Sequence, residues 1–180
     1  MSDCVIFLAH WNFGASKVNK ALINQVKSDL PNVLIRDLYS LYGTNTFASH
    51  LDVKEDQKIL EKAQKIILQF PFQWYSTPAL LKQWLDDALS YGWAYGIKNP
   101  ALKGKKLCVA VSTGGDDKAY TQEGFNSHTI DDFLFYIKQT AKFCEMEYGG
   151  VFKTTNAMKI TDGELVQKAK DYIKFIKENE

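Results

Sequence analysis

The stretch KIILQFPFQWYSTPALLKQWLDDALSYGWAYG, residues 65–96, decides the fold. It opens with the apolar run 66–68, which is too short for a helix and therefore predicts a buried β-strand. A loop rich in aromatic and amide side chains follows over 70–75. Thr77 and Pro78 then predict the start of a helix, with the threonine as N-cap and the proline at the first helical position. In open α/β sheets, ligands bind at the edge where a strand passes into such a helix.

The remaining chain repeats this alternation of strand and helix. Apolar runs at 4–9, 33–38, 107–112 and 145–152 predict four more strands, the last interrupted by two glycines. Residues 39–53 read as an irregular loop. Apolar stripes predict helices between the strands, and the stripe residues expected to be buried in the last two helices are Ile130, Phe133, Leu134, Ile137, Ala141, Leu165, Val166, Ala169, Tyr172, Ile173 and Ile176.

Thr129 and the pair Thr161–Glu164 predict the caps at which those two helices begin. Alternating strands and helices imply βαβ units, with a mostly parallel sheet and helices on both faces. Five strands favour the flavodoxin-like order 2-1-3-4-5 over the six-stranded dinucleotide fold. A chain of 180 residues predicts one domain spanning 1–180.

Composition restricts the partners. The net charge of +1 gives no electrostatic case for nucleic acid or a membrane surface. Cys4 and Cys108 lie in strand-like runs, which predicts small core residues in a reducing compartment. No basic segment precedes an apolar stretch long enough to span a bilayer, so the expected location is cytoplasmic. The three histidines are scattered without ligand spacing, and no metal site is expected.

The loops after strands one, three and four open at one edge of the predicted sheet. The first, His10–Ser16, leads into a helix N-terminus, where free N–H groups and the helix dipole favour a phosphate. Ser16, Asn19 and His10 can add donors, although Ser16 is equally explained as an N-cap. Neither G-x-G-x-x-G nor G-x-x-x-x-G-K-[ST] occurs, so the Rossmann and Walker interpretations lack support.

The second and third loops suit a planar ligand. The loop 71–75 offers aromatic faces and backbone amides, and its Trp74 and Tyr75 also suit core or interface packing. In the third loop, Ser112-Thr113-Gly114-Gly115, the glycines let the backbone approach a ligand closely. Tyr120 can place a phenol over the same site.

Several segments together resemble the flavodoxin-like NAD(P)H:quinone oxidoreductase family, which includes DT-diaphorase and the ancillary oxidoreductases of bacterial potassium-efflux systems. The resemblance covers nearly the whole chain, and its longest motif is the Phe70-to-Trp84 segment. The matching segments are Ala9-His10 with Ser16 and Asn19, Arg36-Asp37-Leu38-Tyr39, Phe70-Pro71-Phe72-Gln73-Trp74-Tyr75, Pro78-Ala79-Leu80-Leu81-Lys82 with Trp84, Gly92-Trp93-Ala94-Tyr95-Gly96, and Thr113-Gly114-Gly115 with Tyr120.

The resemblance implies a bound flavin, and it distributes the site residues over the three loops. The positions implied for the flavin phosphate region are His10, Ser16, Val18 and Asn19. Those implied along the isoalloxazine ring are Pro71, Phe72, Gln73, Trp74 and Tyr75 on one side and Ser112, Thr113, Gly114, Gly115 and Tyr120 on the other. Tyr120 is the implied catalytic residue that stabilises the reduced ring. The position of the family's partner histidine is Asn126 here, with His128 two residues beyond.

The resemblance also implies the reaction and the partners. NAD(P)H gives hydride to the flavin and leaves, and a quinone or similar acceptor then takes the electrons in the same slot. The family forms homodimers in which each site is completed by the other chain. The candidates to contact the substrate or to cap the neighbouring flavin are Trp93, Tyr95 and His128. The compact length resembles that of members that bind FMN, with FAD as the alternative. The alternative function is that of a flavin-loaded ancillary subunit of a glutathione-regulated potassium-efflux antiporter.

Overall fold

A computed structural model describes residues 3–43 and 50–178. Its sheet has five parallel strands in the order β2-β1-β3-β4-β5, as predicted. The strands are β1 (Cys4–Leu8), β2 (Leu34–Asp37), β3 (Lys65–Pro71), β4 (Lys106–Ser112) and β5 (Glu147–Thr154). Their carboxyl ends are level, since Leu8 pairs with Gln69 and Pro71 pairs with Ser112. The loops after β1, β3 and β4 therefore open at one edge.

Helices pack against both faces of the sheet. They are α1 (Val18–Asp29), α2 (Leu38–Tyr42), α3 (Lys54–Lys62), α4 (Ala79–Ala88), α5 (Ile130–Phe133), α6 (Phe135–Phe143) and α7 (Asp162–Glu178). The helices α1 and α7 enclose one apolar cluster with the β-strands, and α2 to α6 enclose the other. Within the described residues, no helix has the length and apolarity needed to cross a membrane.

The predicted start of the central helix was wrong by one residue. Helix α4 begins at Ala79, and Pro78 is its N-cap, with extended backbone. Thr77 makes no capping hydrogen bond, and its buried hydroxyl has no hydrogen-bond partner among the described residues. Thr77 belongs to the loop before the helix, because its N–H donates to the Tyr136 hydroxyl at 3.1 Å and fixes it there.

Four other predictions need correction. Residues 38–42 form helix α2, capped by Asp37, although Leu38 was expected to end the second strand and 39–42 to belong to an irregular loop. Residues 44–49 of that loop lie outside the described residues. The helix predicted from Thr129 is divided at Leu134 into α5 and α6. The last strand begins and ends two residues later than expected, and its register against β4 shifts between Leu107 and Val109, opposite the two glycines. Val166 is exposed because it lies beyond the sheet-facing stripe of α7.

The predicted cap at Thr129 and the predicted capping box at Thr161–Glu164 are both present, and Thr129 forms a capping box as well. Thr129 and Asp132 bond reciprocally at the start of α5, and Thr161 and Glu164 do so at the start of α7. Cys4 and Cys108 are buried core residues, as expected, and Cys144 is buried as well. Burial raises the pKa of the Cys108 thiol to about 11, so it stays neutral.

Candidate functional site

The loops after β3 and β4 enclose an open cleft of about 380 Å³. Aromatic rings and glycines line it, and its side-chain polar groups are two phenols, an indole N–H and one amide. The lining residues are Phe72, Trp74, Tyr75, Gly114, Gly115, Ala119, Tyr120, Phe125 and Asn126. Seven of these nine residues are among the site residues named from the sequence: they belong to the second loop, the third loop or the Tyr120–Asn126 pair. A flat opening between rings and backbone suits a planar ring system.

Trp74 and Tyr75 occupy the two central positions of a tight turn. Gln73 and Ser76 exchange two backbone hydrogen bonds of 3.0 Å each, and both aromatic residues have positive φ, 47° and 64°. Such turns favour asparagine and glycine, and each bulky residue there costs about 1–2 kcal/mol. The Trp74 side chain is nevertheless 94% exposed, so burial against the described residues does not compensate the strain at that position. Strain of this kind typically persists where it holds a functional conformation.

The glycine loop gives the cleft its second wall. A side chain at Gly114 would project into open space, whereas one at Gly115 would meet the Tyr120 ring at 3.1 Å. The loop after β5 supports this wall, since Asn156 N–H donates to the Gly115 carbonyl at 2.8 Å. Thr113 is buried, and its hydroxyl donates to the Gly115 carbonyl at 2.9 Å. The backbone at Gly114 is thus held rigidly beside unfilled space of the kind a flat ligand occupies.

Tyr120 and Asn126 stand together on this wall, as the resemblance implied. Tyr120 ends a short 3-10 helix, Asp117–Tyr120, and Asn126 N–H donates to the Ala119 carbonyl at 2.9 Å. Burial raises the pKa of the Tyr120 phenol, opposed by its hydrogen bond with Thr113. The phenol therefore remains a protonated donor throughout the neutral range.

Phe133 organises the aromatic rings around the cleft, and the sequence assigned it only to a buried helix face. Its ring centroid lies 5.0 Å from that of Tyr75 and 5.8 Å from that of Phe72. His128 packs on the same ring at 5.7 Å and does not line the cleft. Phe125 was also missed, although a lone aromatic residue in a polar loop was a usable signal; it is 90% exposed at the cleft.

The first loop lies beside this cleft, because β1 neighbours β3 in the sheet. Ser16 lies one residue before Lys17, the N-cap of α1, and its hydroxyl accepts a 3.2 Å hydrogen bond from the Asn19 N–H. Its role toward a phosphate stays a prediction. The His10 Nδ1 atom accepts from Asn12 N–H at 3.1 Å, and burial lowers the pKa of His10. His10 is therefore neutral near pH 7, with its proton on Nε2 as a donor.

Asn19 and Val18 are buried, so neither side chain faces open solvent. The Asn19 amide instead reaches the end of β4, where its Nδ2 atom donates to the Ser112 hydroxyl at 2.9 Å. This hydrogen bond joins the start of α1 to the glycine loop. Pro71 ends β3, and Gln73 holds the tight turn through its backbone.

Trp93 and Tyr95 lie apart from the cleft of their own chain. The Trp93 indole donates to the Glu61 carboxylate at 2.8 Å, and the Tyr95 ring packs at a tilt against that of Phe143, with a centroid separation of 4.9 Å. Their assignment as caps of a neighbouring site stays a prediction. Tyr91 beside them is 73% exposed.

Comparison with known proteins agrees with this geometry. The family model described as "Flavodoxin-like fold" matches residues 4–176. The Bacillus subtilis (strain 168) protein YrkL, named an uncharacterized NAD(P)H oxidoreductase, is 32% identical over 96% of this chain and 97% of its own. The glutathione-regulated potassium-efflux system ancillary protein KefF of Enterobacter sp. (strain 638) is 37% identical over 93% of this chain and 92% of its own.

A solved structure is also similar to this chain in both fold and sequence. The general stress protein 14 of Treponema denticola, crystallised in complex with FMN, superposes with a TM-score of 0.91 at 33% identity and covers 98% of this chain and 99% of its own. The fold and the family match define one class, a flavodoxin-like α/β protein, and in this chain an aromatic cleft lies at the carboxyl edge of the sheet. The chain belongs to the flavodoxin-like fold family, and its resemblance to the flavodoxin-like NAD(P)H:quinone oxidoreductases is confirmed.

Proposed function

We propose that this protein is a cytoplasmic, FMN-dependent oxidoreductase that passes electrons from NAD(P)H to a quinone or similar acceptor by a ping-pong reaction. The observation that carries the proposal is the rigid cleft between the Trp74–Tyr75 turn and the Gly114–Gly115 loop. Its open space beside Gly114 and its ring of aromatic side chains fit a flavin. The relatives named as an NAD(P)H oxidoreductase and as an FMN complex support the same chemistry.

The chain's own residues supply binding and orientation. The N-terminus of α1, with His10 beside it as a neutral donor, would hold the phosphate. Backbone amides of the Trp74–Tyr75 turn and of the glycine loop would meet the polar edges of the ring. Tyr120, kept protonated, and Asn126 would donate hydrogen bonds where negative charge develops on reduction. The bound flavin would supply the hydride-accepting chemistry itself.

The two half-reactions test this activity directly. The FMN-loaded protein is mixed anaerobically with NADH or NADPH, and the visible flavin absorbance is followed. We expect the nucleotide to bleach the flavin and a quinone added afterwards to restore it. A flavin that the nucleotides leave oxidised would overturn the proposed activity.

The active unit that we propose is a homodimer. Two large rings at the cleft, Trp74 and Phe125, are 94% and 90% exposed in a single chain, and exposed aromatic clusters are typical of interfaces. A partner chain would cover them and contribute Trp93 or Tyr95. Sedimentation equilibrium should give twice the chain mass, and Trp74→Ala should weaken the association.

The second candidate is an ancillary role on a membrane antiporter, which the similarity to KefF favours. Such a subunit keeps the flavin cleft and binds its transporter as well. If this role applies, the tagged protein should recover a potassium-efflux antiporter from solubilised membranes of its own organism. If the protein has quinone reductase activity and recovers none, the first proposal alone remains.

A further inference from the structure

Four polar side chains cross the core in a continuous hydrogen-bonded row. The Tyr172 hydroxyl, on α7, donates to Gln69 Oε1 at 3.0 Å. Gln69 Nε2, on β3, lies 3.2 Å from the Asn19 carbonyl and 3.3 Å from Asn19 Oδ1. Asn19 Nδ2 donates in turn to the Ser112 hydroxyl at 2.9 Å. All four residues are buried, and Gln69 and Tyr172 are fully so.

The direction of these hydrogen bonds is fixed by one group that can only accept. Because the backbone carbonyl of Asn19 has no proton, Gln69 must face it with Nε2 and must turn Oε1 toward Tyr172. The second N–H of Gln69 then holds Asn19 Oδ1, which leaves Asn19 Nδ2 for Ser112. Ser112 is thereby an acceptor toward Asn19, so its own hydroxyl proton points elsewhere.

Ser112 is the last residue of β4 and leads directly into the glycine loop of the cleft. Asn19 holds it beside the N-terminus of α1, the region proposed to bind the phosphate. The Ser112 hydroxyl oxygen already accepts a hydrogen bond from Asn19, so its proton is free to be donated. A ligand that extends from the cleft to the N-terminus of α1 would pass within its reach. A buried polar row that is fully satisfied specifies one arrangement of its members.

We propose that Gln69 and Tyr172 are positioning residues: through Asn19 they fix the Ser112 hydroxyl as a donor to the ribityl phosphate chain of the flavin. The inference rests on the proposed function and deepens it. It means that Tyr172, on α7, influences ligand binding although α7 does not line the cleft. Neither Gln69 nor Tyr172 touches the ligand.

The test compares two flavins on the apoprotein. FMN carries the ribityl phosphate, and lumiflavin consists of the ring system alone. Equilibrium titrations followed by flavin fluorescence use the wild type, Gln69→Met and Tyr172→Phe. We expect the Kd for FMN to rise about fivefold to tenfold in Gln69→Met and about threefold in Tyr172→Phe, as the loss of one oriented hydrogen bond implies. The Kd for lumiflavin should not change.

Tyr42→Phe is the matched control, since it also removes a buried phenol hydrogen bond, the one to Asp56, but on the other face of the sheet. It should leave both Kd values unchanged. Equal losses for FMN and lumiflavin in Gln69→Met and Tyr172→Phe would show a purely structural role and overturn the inference, as would unchanged FMN binding. If the wild type binds neither flavin, the proposed function itself fails, which is a distinguishable result.

Discussion

Tyr120 shows how one residue serves the cleft through its environment. Its ring packs against Phe72 with centroids 6.0 Å apart, and a side chain on Gly115 would collide with it. Burial raises the pKa of the phenol above its ordinary value of 10.0. The phenol therefore stays protonated over the whole physiological range of pH.

Replacing Tyr120 with phenylalanine should slow flavin reduction by NAD(P)H about tenfold, because one hydrogen bond to developing charge is lost. Since the phenol does not titrate below about pH 10, the wild type and the variant should have parallel rate profiles between about pH 6 and 9. Stopped-flow reduction measures both. Tyr91→Phe, an exposed phenol outside the cleft, is the control. An inflection in this range that disappears with Tyr120 would contradict the account.

Gly114 permits a sharper test, because a methyl group there meets no protein atom. Gly114→Ala should leave the melting temperature within about 2 °C of the wild type, since open space creates no clash. It should raise the Kd for FMN at least about tenfold, because the methyl group projects into the space assigned to the ring.

Gly163→Ala is the matched control, because Gly163 also faces open space, at the start of α7. It should leave FMN binding unchanged. If Gly114→Ala bound FMN as tightly as the wild type, the ring would have to lie elsewhere.

Among the structural elements, the Gln73–Ser76 turn contains two strained residues, and we expect the strain to hold the aromatic side chains at the cleft. Trp74 and Tyr75 adopt left-handed backbone conformations, and Trp74 gains no burial in this chain in return. The hydrogen bonds on both sides of the turn and the adjacent β3–β4 pairing hold the strained residues in place.

Trp74→Gly should have a free energy of unfolding about 0.5–1 kcal/mol higher than that of Trp74→Ala, because both variants lose the indole ring and its contacts and only glycine relieves the positive φ. The same variant should bind FMN more weakly. Trp74→Ala removes the ring and keeps the strain, so it should lose affinity without gaining stability. Urea unfolding of the apoproteins measures the difference, and equal stability of the two variants would show that the turn is unstrained.

A second element-scale feature is the buried carboxylate of Asp56 on α3. It accepts from Arg36 of β2 at 2.6 Å, from Tyr42 of α2 at 2.8 Å and from the Trp84 indole of α4 at 2.8 Å. Four elements at the β2 side of the sheet are joined at this one group. The neighbouring carboxylate raises the pKa of Tyr42 further, beyond the effect of burial, to about 12.

Asp56→Asn should destabilise the fold by about 3–5 kcal/mol, because it leaves the Arg36 charge unpaired and presents a donor to other donors. Asp86→Asn removes the exposed pair with Lys82 and should cost less than about 0.5 kcal/mol. Thermal and urea unfolding compare them. A loss below about 1 kcal/mol in Asp56→Asn would mean that this network does not anchor the edge.

At the scale of the whole molecule, the sequence carried the topology and most of the cleft. Continuous apolar runs identify the strands, because burial on both faces leaves no polar alternation. The number of strands and their alternation with helices then predict the order of the sheet. The hydrogen-bond partners of polar side chains could not be predicted from the sequence. The Asn19 side chain, for example, was assigned to the phosphate region, and in the structure it is buried in the core and donates to Ser112. The role of Phe133 was also hidden, because its contacts come from loops distant in sequence and depend on how α5 is set against them.

The visible absorption spectrum of the purified protein tests the central claim most directly, with the fluorescence of the released flavin recorded before and after phosphodiesterase. The account predicts a yellow protein, or one that becomes yellow when FMN is offered, whose released fluorescence the enzyme leaves unchanged. A rise in fluorescence after cleavage would identify FAD and correct the cofactor. A colourless protein that takes up neither flavin would contradict the account of the cleft.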